Sequence, residues 1–228
     1  MSGAREPRPA PPVLVVLAGG ASARLGRCKA LVELGEGPES TPLARLVAAG
    51  AGLGVGSERA GDAGAEGVET LVVTGAAHDE IAAACAELAP ALRRRVTVVR
   101  NPRWAEGRAG SVLAARDARP GRDLCLAPVD VPLVTVETFA ALGAAWRAAL
   151  APARGWLAPR TGDGRFGHPI VVGRALVAGW RPADRDTPLR ELRAGAEPLL
   201  AAHVDDPRVH DDLDRPEDLS RLRSLLGG

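Results

Sequence analysis

The chain has 228 residues, enough at ~150 residues per domain for one large domain or two small ones. Hydrophobic residues make up 46% and charged residues 25%, which excludes disorder over most of the length. Lys and Arg number 29 against 28 Asp and Glu; a net charge of +1 argues against a nucleic-acid surface, and no apolar run nears the ~18 residues of a membrane span. The composition is also skewed: there is no Tyr and no Gln, Lys29 is the only lysine and Asn101 the only asparagine. Most of the depleted residues have AT-rich codons, so the skew reads as a GC-rich genome writing Arg for Lys. Cys28, Cys85 and Cys125 form no CxxC pair, which fits reduced thiols in the cytoplasm and neither a disulfide framework nor a zinc site.

In chain order, residues 1–12 are Pro-rich and read as a disordered lead-in, leaving 13–228 as one domain. Val13–Ala18 is a continuous apolar run between prolines and glycines, the pattern of a strand buried on both faces of a parallel sheet. Its six residues are too few for a signal segment. Similar runs at 70–74, 96–99, 124–127 and 169–172 predict further strands. Ala- and Leu-rich stretches between and beside them predict helices at 42–49, 79–88, 110–118 and 136–149, the last capped by Thr135. A C-terminal helix is expected at 216–226, with Pro216 in its first turn and Glu217 and Asp218 after it. The Gly- and Ala-rich stretch 50–67 reads as a helix tail plus a flexible loop. Strands alternating with helices imply an α/β fold with three layers, α/β/α, around a mostly parallel sheet.

The chemistry concentrates after the first strand, in LAGGASARLGRCKAL over 17–31. Consecutive glycines at a strand end let a backbone approach phosphates closely and aim amides at them. Arg24 and Lys29 add positive charge at the same point. The segment has neither the GK[ST] of a nucleotide P-loop nor the GxGxxG of a dinucleotide fold. Residues 162–167 do match GxGxxG, but they precede a strand instead of opening a helix.

Five segments in order resemble the MobA-like nucleotidyltransferases, the family of the molybdenum cofactor cytidylyl- and guanylyltransferases. They are the 17–31 motif, Asn101 to Trp104 with Gly107 and Ser111, the Asp130-Val131-Pro132 stretch, Gly167-His168-Pro169, and the DLDRPEDL ending at 212–219. The resemblance implies a Rossmann-like nucleotidyltransferase (nucleotide-diphospho-sugar transferase) fold and attack by an acceptor phosphate oxygen on the α-phosphorus of an NTP, releasing pyrophosphate. It implies Mg2+ as cofactor, CTP or GTP as nucleotide, and a phosphorylated small-molecule acceptor, with no nucleic-acid or membrane partner. LAGG leans towards guanylyl members and GHP towards cytidylyl members, so the base stays open. Two departures stand out: the GxPLL segment is stretched over 35–43, and the GDxGxR segment survives only as RDTPLR over 185–190.

The residues carry the following expectations. Leu17, Ala18, Gly19 and Gly20 line the nucleotide, the glycine amides facing the triphosphate. Arg24 contacts the β- and γ-phosphates, and Lys29 the α-phosphate, where a compact ammonium differs from a guanidinium. Asp130, just outside a strand's C-terminal end, is the metal ligand and counts with Arg24 and Lys29 as catalytic. Its alternative is a turn residue before Pro132. Asp212 is the second metal ligand, with Asp214 or a solvated turn as alternatives. Asn101, Gly107 and Ser111 line base and ribose, or else form a turn and a helix start. His168 faces the acceptor, or is simply exposed. Cys28, between Arg27 and Lys29, has neighbours that lower a thiol's pKa. Two other functions fit the same residues: transfer to a sugar, polyol or phosphoenol phosphate, which the 107–113 stretch also suggests, and nucleotide binding without catalysis.

Overall fold

The computed structural model describes residues 10–56 and 67–227. Of the expected lead-in, residues 1–9 lie outside the described residues and 10–12 carry no regular structure. Seven strands run in chain order: β1 (Val13–Ala18), β2 (Thr70–Thr74), β3 (Val96–Arg100), β4 (Leu124–Pro128), β5 (Trp156–Arg160), β6 (Ile170–Val172) and β7 (Leu199–His203). They form one sheet in the order β3-β2-β1-β4-β6-β5-β7. β3, β2, β1 and β4 are mutually parallel; β6 is antiparallel to both β4 and β5, and β5 is parallel to β7. Eight helices accompany them: α1 (Pro42–Ala49), α2 (His78–Ala86), α3 (Pro90–Arg93), α4 (Arg108–Ala118), α5 (Val136–Ala148), α6 (Arg174–Ala178), α7 (Leu189–Leu192) and α8 (Pro216–Leu226). Every strand and long helix expected from the sequence is present; β5 and β7 were not anticipated.

The continuous apolar run of β1 follows from burial on both faces. Leu14, Val16 and Ala18 pack with Leu43 and Leu46 of α1, Ile81 of α2, and Phe139, Leu142 and Trp146 of α5. Val13, Val15 and Leu17 point the other way, towards Val112 and Leu113 of α4 and Leu176 and Val177 of α6. Alternation across the pleat thus feeds two cores, which makes the three layers. Thr135 caps α5 as expected, its Oγ1 accepting from the Thr138 amide at 3.3 Å.

A third, smaller cluster decides the site. Leu213, Leu219 and Leu222 close over Leu25, Val32, Leu34 and Leu133. Each buried leucine contributes about 1.5–3 kcal/mol relative to exposure. The cluster ties the C-terminal segment to the stretch that follows β1. The Asp218 carboxylate starts α8 by accepting from the amides of Asp214 and Arg215, both at 2.9 Å.

The stretch 50–67 corrects the sequence reading. Gly50–Gly54 is a packed 3-10 turn, with Gly50, Gly52 and Leu53 buried. A Cβ on Gly52 would fall 2.3 Å from the Val136 carbonyl oxygen, and one on Gly143 would fall 2.4 Å from that of Leu53. The glycines permit close approach of backbone to α5; they do not mark a loose loop there. The remainder of the expected loop, 57–66, lies outside the described residues.

Candidate active site

Chain direction places the site. From β1 the chain crosses to β2 on one side, whereas β4 lies on the other, so the connections diverge at the β1–β4 seam. Ligands of open α/β sheets gather beyond the C-terminal strand ends at such a seam. Leu17 pairs in register with Pro128, and the Val129 amide donates to the Leu17 carbonyl at 3.2 Å. Gly19, Gly20 and Asp130 therefore emerge side by side.

The loop after β1 is shaped by its own hydrogen bonds. Ser22 turns the chain at φ 53°, and its carbonyl accepts from Leu25 and Gly26 at 3.1 Å each. Its hydroxyl accepts from the Lys29 amide at 3.0 Å, which folds Lys29 back towards the loop. Two glycines here serve different ends. A Cβ on Gly75, just after β2, would lie 2.2 Å from the Gly19 carbonyl oxygen and 2.5 Å from Cβ of Trp104, so packing demands glycine. A Cβ on Gly20 would meet nothing within 4 Å, and the space it would fill belongs to the cavity.

That cavity holds about 420 Å³ and runs from the glycine loop past Lys29, Trp104 and Ser111 to Asp130 and Asp214. The size suits a small-molecule ligand. Of the residues singled out from the sequence, Leu17, Ala18, Gly19, Gly20, Arg24, Lys29, Gly107, Ser111 and Asp130 line it. Asn101 stands behind the wall. It is buried, its Nδ2 donates to Ser111 Oγ at 3.2 Å, and its Oδ1 accepts from the Arg103 amide at 3.0 Å. His168 and Asp212 also lie outside the lining. The backbone holds Asp212 close, since the Leu213 amide donates to the Asp130 carbonyl at 2.7 Å.

Charges in the cavity are paired off in two groups. Lys29 Nζ, only 14% exposed, bonds Asp214 Oδ1, and Arg24 reaches Asp214 Oδ2 at 3.3 Å. The Lys29 hydrogen bond and charge hold the Asp214 carboxyl below the usual carboxylate range. The second group is Arg108, whose Nη2 meets Asp130 Oδ2 at 3.1 Å. Burial, with the charges of Asp130 and Asp214, pushes the Asp212 carboxyl up. Burial, helped by the Arg108 charge, pushes the His168 imidazole down to about 4. Its Nδ1 is buried without a hydrogen-bond partner. Cys28 lines the cavity, but burial raises its thiol pKa. This reverses the expectation drawn from Arg27 and Lys29: burial, with the charge of Glu80, outweighs the backbone amides that favour the thiolate.

Sequence reasoning passed over Arg108, Trp104 and the pairing role of Asp214. Trp104 was legible as a motif residue without a role. For Arg108 a signal existed: it opens α4, whose first turn holds no acidic residue. A cation at a helix N-terminus opposes the helix dipole, and a broken local rule marks a site.

The fold and this cavity define an α/β protein with a small-molecule-sized cavity at a strand-order switch. Comparison with known proteins narrows the class. The model of the MobA-like NTP transferase domain matches residues 14–207. The chain belongs to that family and is a nucleotidyltransferase. Solved structures share the fold. A nucleotidyl transferase from a Methanothermobacter species is 21% identical with a TM-score of 0.69, covering 96% of this chain and 100% of that one. Rv0371c from Mycobacterium tuberculosis H37Rv, in complex with manganese, is 22% identical with a TM-score of 0.62, covering 94% and 99%. The molybdopterin-guanine dinucleotide biosynthesis protein A of Archaeoglobus fulgidus is 15% identical with a TM-score of 0.60, covering 94% and 98%. No curated protein sequence matches the chain. No helix among the described residues is long and apolar enough to cross a membrane.

Proposed function

We propose that this nucleotidyltransferase uses Mg2+ to move a nucleoside monophosphate from CTP or GTP onto a phosphorylated small-molecule acceptor, and that the acceptor is molybdopterin, as in cytoplasmic molybdenum cofactor maturation. The observation that carries the reading is the meeting of the glycine loop, Lys29 and Asp130 around one cavity at the β1–β4 seam. An acceptor phosphate oxygen forms a bond to the α-phosphorus while the bond to the bridging oxygen of pyrophosphate breaks. Such transfer needs positioning and charge stabilisation more than proton movement.

Gly19 and Gly20 offer backbone amides and open space to the triphosphate, beside Leu17 and Ala18. Arg24 neutralises the outer phosphates, and Lys29 leaves Asp214 to stabilise charge at the α-phosphate. Gly107 and Ser111 face ribose and base, with Asn101 fixing the Ser111 hydroxyl from behind. His168, uncharged at neutral pH, stands on the acceptor side.

The residues also fit a hard divalent cation. Asp130 and Asp212 bring two carboxylates near each other, and Asp212 carries a pKa raised by burial and by the charges of Asp130 and Asp214. Among the described residues no three His, Cys, Asp or Glu side chains converge as a ready-made metal cage. Mg2+ is commonly held by one or two carboxylates with waters and substrate phosphates. When bound, the ion neutralises charge on the transferring phosphates. The manganese in the Rv0371c structure supports a divalent-metal requirement.

The test is incubation with each NTP, Mg2+ and molybdopterin, with pyrophosphate release as the readout. Release with one NTP is expected. No release with any NTP, across molybdopterin and a panel of sugar, polyol and phosphoenol phosphates, overturns the reading. Release only with a phosphate from the panel keeps the reaction and replaces the acceptor.

A further inference from the structure

The cationic side chains of the cavity fall into two groups. Arg24 and Lys29, from the stretch after β1, converge on Asp214, while Arg108, from α4, pairs with Asp130. We propose that Arg108 is the residue that grips the acceptor's phosphate. The proposal rests on the nucleotidyl-transfer reading above and deepens it.

In-line displacement brings the incoming phosphate to the face of the α-phosphorus opposite the departing pyrophosphate. Two polyanions must share one cavity, and each needs its own cation. The loop-side pair, Arg24 and Lys29, serves the triphosphate. Arg108 is the remaining cationic side chain of the lining, on the wall made by α4. Its placement is costly for the helix, since the N-terminal end already carries partial positive charge. The Asp130 carboxylate offsets that cost in the ligand-free protein.

Arg108 is also free to exchange partners. Its side chain is 50% exposed, and its hydrogen bond to Asp130 is a single 3.1 Å contact made through one amino group. The rest of the guanidinium fork is left for a phosphate, whose oxygens it matches in pairs. Once Asp130 turns to the transferring phosphates and their counterion, Arg108 loses its carboxylate and gains an anion. Burial, and after it the nearby Arg108 charge, lower the His168 pKa, so this imidazole adds no positive charge beside the guanidinium at neutral pH. No carboxylate besides Asp130 forms an ion pair with Arg108 among the described residues.

The experiment titrates inorganic phosphate into the full chain by calorimetry, with and without Mg2+ and the α,β-methylene analogue of the NTP that binds best. Arg108→Ala should weaken phosphate binding by about tenfold, as expected for loss of a charge-assisted hydrogen bond. Arg108→Lys should recover part of it. Affinity for the nucleotide analogue should change by less than about twofold, against that tenfold loss. In turnover, Arg108→Ala should raise KM for the acceptor and leave KM for the NTP. Absence of phosphate binding to the wild-type chain, phosphate binding unaffected in Arg108→Ala, or an equal loss of nucleotide affinity overturns the proposal. Phosphate held by Arg108 in a chain that turns over no NTP would instead sink the transfer reading and leave the anion site. Turnover with only the NTP KM altered would sink the Arg108 assignment alone.

Discussion

The two halves of the sheet differ in how they carry function. In β3-β2-β1-β4 all strands run parallel, and β1, β2 and β4 are buried throughout. In β6-β5-β7 the direction reverses once, β6 has three residues, and β7 is largely exposed along its length. The parallel half sends Gly19, Gly20, Gly75 and Asp130 out of adjacent strand ends. The mixed half supplies His168 from the loop before β6 and, through the chain after β7, the acids Asp212 and Asp214. The regular, fully buried half brings the glycine loop to the cavity directly at its strand ends, whereas the mixed half reaches the cavity through Asp214, in the chain beyond its edge strand.

Four measurements break or sharpen that contrast. The largest effect is expected at Lys29, whose ammonium is nearly buried against Asp214. Lys29→Arg should lower kcat by about 10²–10³-fold, because the wider planar guanidinium cannot take the same contact. Near wild-type pyrophosphate release in that variant would remove Lys29 from the transition state.

Next comes a glycine pair within the parallel half. Gly75→Ala should cost about 2–3 kcal/mol of stability, since its Cβ has no room. Gly20→Ala should leave the denaturation midpoint in place and weaken NTP binding. Equal effects on stability would mean that the space beside Gly20 is not ligand space.

The mixed half is tested through pH. Burial and the Arg108 charge hold His168 at about 4 in the folded chain. A free imidazole titrates near ~6.5. As pH falls below ~6.5 the unfolded chain takes up this proton first, so stability is full above that value and declines towards pH 4, by about 3 kcal/mol. Urea titrations across this range should show the loss, and His168→Gln should flatten this part of it. An unchanged slope would place the imidazole in water.

The seam between the halves gives the smallest shift. Asp130→Asn keeps one carboxamide oxygen and should raise the Mg2+ concentration for half-maximal activity by about tenfold. An unaltered Mg2+ titration would move the ligand elsewhere.

Much of the parallel half was legible in the sequence. Strands buried on both faces show as unbroken apolar runs, and the glycines, Arg24, Lys29 and Asp130 sit within a few residues of strand ends. β5 escaped because Pro159 interrupts it, and Pro normally disfavours an interior strand. β7 escaped because an edge strand with little burial leaves no apolar signature. The glycines at 50–54 misled for a related reason: glycine enrichment marks either freedom or close packing, and only neighbours distinguish the two.

The lone lysine and the lone asparagine show the same division. Composition and motif order alone drew attention to both; Lys29 lines the cavity, while Asn101 is buried behind its wall. The sequence by itself determined the fold class, the family and the glycine loop that lines the cavity, because these depend on motifs and contacts local in the chain or on burial along each strand. Only the tertiary structure put Lys29 against Asp214, 185 positions away, and Arg108 against Asp130. It also moved Asn101 behind the wall, as the support of Ser111. Ion pairs and cavity walls arise from elements far apart in sequence, and their partners are chosen by packing, which no local pattern records.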